Sequence, residues 1–176
     1  DIARAKQLLA DAGYPDGAGF PELTYTYPSG GKNGDVAVAL QSQLLANLGI
    51  SIKLQALDPG SYYPARRSGD FELLRYSWTA DYTDPVNYLS LFVSGINSAG
   101  IADPVYDEFV DKSSREGDAM TRNGLLHDAE EVLVTKQFYV NPLYTQFYIQ
   151  LVNPKLTGIT KDDSGANVYR YADLTE

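Results

Sequence analysis

The sequence has no cysteine and a single histidine, His127, among its 176 residues. Without cysteine there is no disulfide, no thiolate metal ligand and no thiol nucleophile, and one histidine cannot build a multi-histidine metal site. The Gly-x-Ser-x-Gly elbow of hydrolases and the Gly-rich phosphate loop of nucleotide-binding proteins are also missing. The sequence therefore predicts a protein without metal or cofactor that is not an enzyme.

Positive charge and long apolar runs are also scarce. The 14 lysines and arginines are outnumbered by 23 acidic residues, which gives a net charge of −9. Nucleic-acid phosphates require clustered cations, so nucleic acid is not an expected partner.

Every apolar run is far shorter than the roughly 20 residues that a membrane-spanning helix needs. The first residues also lack the basic and apolar regions of a signal peptide, so no signal segment is expected in this chain.

Tyrosine is unusually frequent, with 14 tyrosines against 6 phenylalanines. A flat apolar ring with a polar tip suits a recognition surface. It suits the half-buried positions of a β-rich scaffold equally well, so the composition leaves both interpretations open.

Alternating helical and strand periodicity predicts an α/β fold. Residues 23–27 and 50–57 alternate like strands, and residues 34–48 between them have helical spacing that ends at Gly49. A strand, a helix and a strand with short connections form a βαβ unit with parallel strands. The other expected elements are helices over residues 60–67, from Pro85, from Pro104 and over 121–134, a strand over 71–78, and a segment of strand composition over 138–152.

The stretch RYSWTADYTDP, residues 75–85, carries the candidate binding chemistry. Asp81 follows the end of the predicted strand, and ligands bind at the carboxyl ends of strands in open α/β sheets. Trp78 and Tyr82 flank it in the sequence. A carboxylate between two aromatic residues suits a cationic group attached to an apolar body.

Other roles for carboxylates remain open from the residues alone. Asp84 directly precedes Pro85, which favours a helix cap, and this is less natural for Asp81. Asp81 and Asp84 together leave an acid hydrolase as a remote alternative. A structural or adhesive surface domain is a third. A further set of carboxylates at helical spacing is expected to form a solvated face: Asp103, Asp107 and Asp111.

Four stretches carry a resemblance to a known family: DIARAKQLLADAGYPDGAGFPELTYTY, LLANLGISIKLQ, YPARRSGDFELLRYSWTADYTDPVNYLSLF and NPKLTGI. In this order they resemble the extracellular solute-binding proteins of family 5, the peptide and nickel receptors of ABC importers. The most specific part matches the family pattern Gly-Trp-x-Ala-Asp-Tyr-x-Asp/Glu-Pro. Ser77 replaces the glycine of that pattern.

The resemblance implies an α/β lobe like that of type II periplasmic binding proteins, with a central, mostly parallel sheet flanked by helices. Family members are considerably longer than 176 residues and close two lobes over a ligand at a hinge. Residues 1–150 would then be the second, C-terminal lobe, and residues 151–176 would return across the hinge to the first lobe, which is not in this chain. The implied location is extracytoplasmic, in a periplasm or as a cell-surface lipoprotein, with ABC permease subunits as partners.

The resemblance also implies roles for individual residues. In peptide-binding members the aspartate at the position of Asp81 binds the free α-amino group, and the tryptophan at the position of Trp78 lies against the ligand. Arginines at the positions of Arg75 and Arg66 meet the peptide carboxylate in some members. The predicted ligand site is therefore these four residues with Tyr82. Receptors of the same family for nickel chelates, sugars or opines remain the alternative.

Overall fold

The structure, a computed structural model, describes residues 1–147, 149–162 and 165–175. The chain divides into two compact units, residues 1–77 and 78–176, and each has a hydrophobic core. Across the described ranges, no helix combines the length and the apolar character needed to span a membrane.

The first unit contains the predicted βαβ arrangement. Its sheet has the order β2-β1-β3 with parallel pairing throughout, where β1 is Leu23–Pro28, β2 is Ile52–Leu57 and β3 is Leu73–Leu74. Helix α2, Asn33–Leu48, connects β1 to β2. It ends at Gly49, whose φ of 69° is the left-handed conformation that glycine adopts without strain. The prediction for this part of the chain is confirmed.

Two further helices complete the first unit. Helix α1, Ile2–Asp11, begins at Asp1, whose carboxylate accepts a hydrogen bond from the Arg4 N–H at 3.0 Å. Helix α3, Pro59–Ser68, is capped in the same way by Asp58. Apolar side chains of α1 and α2 pack on the sheet around these buried residues: Tyr25, Ala37, Ile50 and Ile52.

Strand β3 is much shorter than the predicted 71–78, and Pro28 explains where it stops. The Arg75 N–H donates to the Thr26 carbonyl at 2.8 Å, which is the last bond between β1 and β3. In a parallel ladder the next donor would be the N–H of residue 28, and proline has none. The Tyr62 hydroxyl donates to the Arg75 carbonyl instead. Residues 75–80 therefore continue without regular secondary structure.

The second unit is built around helices. Helix α4 is Val86–Leu89, α5 is Pro104–Arg115 and α6 is Ala119–Glu130, which continues as a π-helical turn over Glu131–Lys136. These agree with the predicted helices, although the one after Pro85 is a single turn. Their apolar faces form one core together with Ile101 from the loop before α5. Its buried residues are Leu89, Ile101, Tyr106, Val110, Leu126, Ala129, Val132 and Leu133.

The prediction of a solvated acidic face on α5 is wrong for Asp103, and Asp107 is half-buried with its carboxylate accepting from the Ser94 N–H at 3.0 Å. Asp103 is 8% exposed and caps α5, accepting hydrogen bonds from the backbone N–H groups of Val105 and Tyr106 at 2.9 and 3.1 Å. A carboxylate can be buried there because the first N–H groups of a helix lack intrahelical partners. Asp111 does lie on the surface, paired with Arg115 at 2.7 Å.

The segment with strand composition, residues 138–152, forms no strand in its described part, residues 138–147 and 149–152. Three of its apolar side chains are almost fully exposed, Phe147 at 88%, Ile149 at 91% and Leu151 at 98%. These alternate residues would share one side of an extended chain. We call them the 147/149/151 row.

After this segment the chain forms two short antiparallel ladders. Strand β4, Leu156–Thr157, pairs with β7, Asp173–Leu174, and β5, Thr160–Lys161, pairs with β6, Asn167–Val168. The strands are two residues long, which agrees with the absence of a strong periodic pattern beyond Pro154.

Candidate ligand-binding site

Trp78 and Asp81 are joined by one buried side chain, Asn87. Asn87 is 5% exposed and lies in α4. Its Oδ1 accepts a hydrogen bond from the Trp78 Nε1–H at 2.7 Å and another from the Asp81 backbone N–H at 3.3 Å. A carbonyl oxygen has two lone pairs, so one amide can accept both bonds. The loop that carries the predicted ligand residues is thereby tied to α4.

The Asp81 carboxylate is accessible. The residue is exposed, and within the described ranges its carboxylate forms no hydrogen bond or ion pair. Its sequence neighbours Trp78 and Tyr82 are 38% and 51% exposed. The loop therefore offers an anionic group and two accessible aromatic residues, which is the combination that the sequence predicts for a cationic ligand group.

Asp84 has a structural role, as predicted. Its Oδ1 accepts from the Val86 N–H at 2.9 Å, and its two oxygens bind the Arg122 guanidinium at 3.0 and 2.9 Å. The hydrogen bond from Arg122 is the main reason that the pKa of the Asp84 carboxyl is lowered. Arg122 also donates from Nε to the Ser113 carbonyl at 3.2 Å. Asp84 is thus ionised and fastens α4 to α6 and, through Arg122, to α5.

Arg66, in the first unit, is held by aromatic rings. Its guanidinium carbon lies 5.6 Å from the ring centroid of Tyr63 and 5.0 Å from that of Tyr76, which is the cation–π range. The residue is half-buried, and its N–H groups donate no hydrogen bond to the part of the chain that the structure describes. Its charge is therefore positioned by ring contacts with Tyr63 and Tyr76.

Arg75 lies deeper than Arg66. It is 8% exposed, and its Nη1 donates to the Tyr76 carbonyl. The Tyr62 hydroxyl donates to the Arg75 carbonyl, and burial raises the pKa of Tyr62 while the charges of both arginines oppose that shift. The two arginines are therefore grouped around Tyr62, and Arg66 is the more accessible of them.

The structure thus brings the predicted residues together in two groups. Trp78 and Asp81 are joined through Asn87 in the second unit, and Arg66 and Arg75 surround Tyr62 in the first. The Tyr82 side chain is exposed and joins neither group through a hydrogen bond within the described ranges.

A cavity of about 380 Å³ lies elsewhere in the second unit, between α4 and α6. Its walls include Tyr88, His127 and Glu130, and none of the five predicted ligand residues. His127 is an exposed residue of α6.

Neither Asn87 nor the rings of Tyr63 and Tyr76 around Arg66 were predicted from the sequence as part of the site. Nothing local marks Asn87, because its role depends on how a loop folds back onto α4. The contact between Tyr63 and Arg66 could have been predicted, because Tyr63 precedes Arg66 by three residues on a predicted helix and such residues are neighbours on a helix surface.

The family model for bacterial extracellular solute-binding proteins, family 5 Middle, matches residues 1–100. The periplasmic murein peptide-binding protein MppA of Escherichia coli is 33% identical over 159 residues, which cover 89% of this chain and 29% of MppA. The probable deoxycholate-binding periplasmic protein YgiS of the same organism is 32% identical over 96% of this chain and 31% of its own length. The chain spans about a third of the length of these relatives.

Solved structures show the same likeness. A periplasmic oligopeptide-binding protein of an oligopeptide ABC transporter from Borrelia burgdorferi superposes with a TM-score of 0.76 at 35% identity. The match covers 78% of this chain and 28% of that one. A parallel sheet flanked by helices, with this likeness, defines the α/β fold of type II periplasmic binding proteins. The chain belongs to family 5 of the bacterial extracellular solute-binding proteins.

Proposed function

We propose that this chain is the C-terminal lobe of the substrate-binding component of an ABC importer, and that it captures peptides outside the cytoplasmic membrane. The observation that carries the proposal is the accessible Asp81 carboxylate on a loop tied to α4 through Asn87. Family membership and relatives named for peptide binding support it.

Asp81 is proposed to bind the α-amino group of the peptide. An ammonium paired with a carboxylate makes a charge-assisted hydrogen bond, which is stronger than a neutral one. The exposed rings of Trp78 and Tyr82 supply apolar surface next to this group in the sequence. Because peptides share the α-amino group and differ in side chains, this contact suits a receptor that accepts many sequences.

Arg66 is proposed to meet a carboxylate of the ligand. Its hydrogen-bonding groups are not used within the described ranges, and a guanidinium matches the geometry of a carboxylate. Arg75 is assigned a lesser part, since it is 8% exposed and donates to the Tyr76 carbonyl. It is proposed to shape the surroundings of Arg66.

The remainder of the site is proposed to come from a first lobe in a longer parent protein. We place the boundary near residue 150, with residues 151–176 returning across the hinge. The exposed 147/149/151 row supports this, because side chains of this size are seldom left in water as a group. The closed receptor would deliver its ligand to the permease subunits.

Two other functions are less well supported. A receptor for a ligand without an amine is favoured by the likeness to YgiS, which is named for probable deoxycholate binding. Such a ligand would leave Asp81 without a counter-ion.

An acid hydrolase would need one carboxyl that keeps its proton at the working pH. Asp84 is unsuitable, because Arg122 lowers its pKa and occupies both of its oxygens.

The test is Asp81→Asn in the parent protein. The probes are a pool of tripeptides with free amino termini and the same pool after N-acetylation, with apparent Kd values from calorimetry. Replacing the carboxylate by a neutral amide removes the charge from a charge-assisted hydrogen bond, a loss of about 1.5–3 kcal/mol, and should weaken the free-amine pool by roughly 10- to 100-fold. The acetylated pool should change little.

Asp128→Asn, an exposed carboxylate on α6, is the matched control and should leave both affinities unchanged. Equal losses for the two pools in the Asp81 variant would show that Asp81 is structural. Failure of the unaltered protein to bind either pool would reject the peptide proposal itself.

A further inference from the structure

Asn87 connects the two residues on which the proposed site mainly depends. Beyond the bond from the Arg75 N–H to Thr26, residues 76–80 form neither helix nor strand, so no backbone ladder fixes the segment that leads to Trp78 and Asp81. The bonds from the Trp78 indole and the Asp81 N–H converge on one oxygen of a side chain that is 5% exposed. The two residues therefore share a single buried anchor.

That anchor is itself fixed to the core of the second unit. The N–H of the preceding residue, Val86, is bound by Asp84, which is fastened to Arg122. Leu89, two residues further on, is 7% exposed and belongs to the hydrophobic core. The position of the Asn87 amide is thus set from both sides along the chain.

The chemistry of the two partners determines which atom of Asn87 they need. An indole N–H and a backbone N–H are both donors, so the amide oxygen faces them and its nitrogen does not. A leucine of similar size would leave both donors without this acceptor. An aspartate would keep an acceptor oxygen in the same place.

We propose that Asn87 is a positioning residue of the ligand site, which sets the Trp78 indole and the Asp81 backbone in their binding arrangement before a ligand arrives. It does so through its amide oxygen without contacting the ligand. Preorganisation of this kind strengthens binding because the loop is not ordered at the moment of association. The inference rests on the proposed role of Asp81 as the amine-binding group.

The experiment compares Asn87→Leu with Asn87→Asp in the parent protein. Asn123→Leu, at an exposed asparagine of α6, is the control. Affinity is measured with the free-amine and N-acetylated tripeptide pools. The indole N–H resonance of Trp78, assigned by its loss in Trp78→Phe, reports the hydrogen bond directly. Asn87→Ser, which is too short to reach the indole, replaces the leucine variant if that one does not fold.

Asn87→Leu should weaken the free-amine pool by about tenfold or more, the effect that loss of a residue supporting the ligands commonly has at metal sites, and should move the indole resonance. Asn87→Asp should retain the resonance and bind within a few-fold of the unaltered protein. Affinity equal to the Asn123→Leu control would overturn the inference. So would an aspartate variant that restores the resonance and still binds as weakly as the leucine variant.

The two proposals fail in distinguishable ways. If Asp81→Asn weakens both pools equally while Asn87→Leu reduces affinity and moves the resonance, the amine role of Asp81 is wrong and the positioning of Trp78 by Asn87 stands. If Asp81→Asn discriminates between the pools and Asn87→Leu has no effect, the amine role stands and the positioning role is wrong.

Discussion

Asp81 and Asp84, three residues apart, have different surroundings, which support a structural role for Asp84 and the proposed ligand-binding role for Asp81. Asp84 is half-buried and is bound by Arg122 and the Val86 N–H. Asp81 is exposed and unpaired within the described ranges. A carboxylate whose oxygens are already hydrogen-bonded supports the fold, whereas one whose oxygens are accessible can bind a ligand. The neighbours of each residue decide between these roles, and residue type does not.

The bond between Asp84 and Arg122 makes stability depend on pH. Because the folded-state pKa of Asp84 is lowered, its contribution is present at neutral pH and is lost as pH falls below about 4 and through the lowered pKa. Asp84→Asn should cost about 1–2 kcal/mol of unfolding free energy at pH 7. The difference from the unaltered protein should shrink in acid, as measured by urea denaturation at several pH values.

Asp111→Asn is the control for this experiment. It removes an exposed pair with Arg115 on one helix, which is worth less than about 0.5 kcal/mol. A difference for Asp84→Asn that stays constant from neutral to acid pH would show that its charge does not stabilise the protein.

At the scale of elements, the βαβ unit depends on close backbone approaches that side chains would block. A Cβ added to Gly49, at the end of α2, would lie 2.1 Å from the Asp16 carbonyl oxygen. Gly49 also has φ 69°, where other residues are strained. This glycine lets the chain turn from α2 toward β2 while the segment around Asp16 passes beside it.

Gly49→Ala should therefore destabilise the protein by about 2–4 kcal/mol, since backbone strain and a steric clash act together. Gly34→Ala, in the first turn of the same helix, is the matched control. An added Cβ at Gly34 has no neighbour within 4 Å, so this change should be neutral or stabilising by up to about 1 kcal/mol. Thermal unfolding of both variants tests the contrast, and similar melting temperatures would contradict it.

Periodicity and local residue chemistry made part of the molecule predictable. The alternation of β1 and β2 and the helical spacing of α2 gave the parallel βαβ unit, and Asp84 before Pro85 predicted its structural role. The early end of β3 depends on Pro28, which lies in another strand, so the residues of β3 do not reveal it.

In the candidate site too, some residues could be predicted from the local sequence and others could not. Asp81 stands out from its neighbours in the sequence, whereas Asn87 acts only after the loop has folded onto α4. The hydrogen bond from the Tyr62 hydroxyl to the Arg75 carbonyl likewise joins residues 13 positions apart, which meet only in the folded chain. Contacts made in three dimensions cannot be read from local spacing.

At the scale of the whole molecule, the 147/149/151 row is an exposed apolar surface that the proposed first lobe would cover. Its three side chains are at least 88% exposed, while fully burying a side chain of this kind stabilises a protein by about 1.5–3 kcal/mol. Under the proposed architecture, the row packs against the rest of the parent protein. Its contribution should therefore be measurable only in that longer chain.

We expect the triple variant with Phe147, Ile149 and Leu151 all changed to serine to lower the unfolding free energy of the parent protein by at least about 4 kcal/mol. Met120→Ser is the control, because Met120 is 84% exposed and lies outside the row, and it should stay within about 0.5 kcal/mol. Chemical denaturation of the parent protein measures both. If the triple variant is as stable as the control, the row remains in solvent in the complete receptor, and the proposed packing of this segment against a first lobe is wrong.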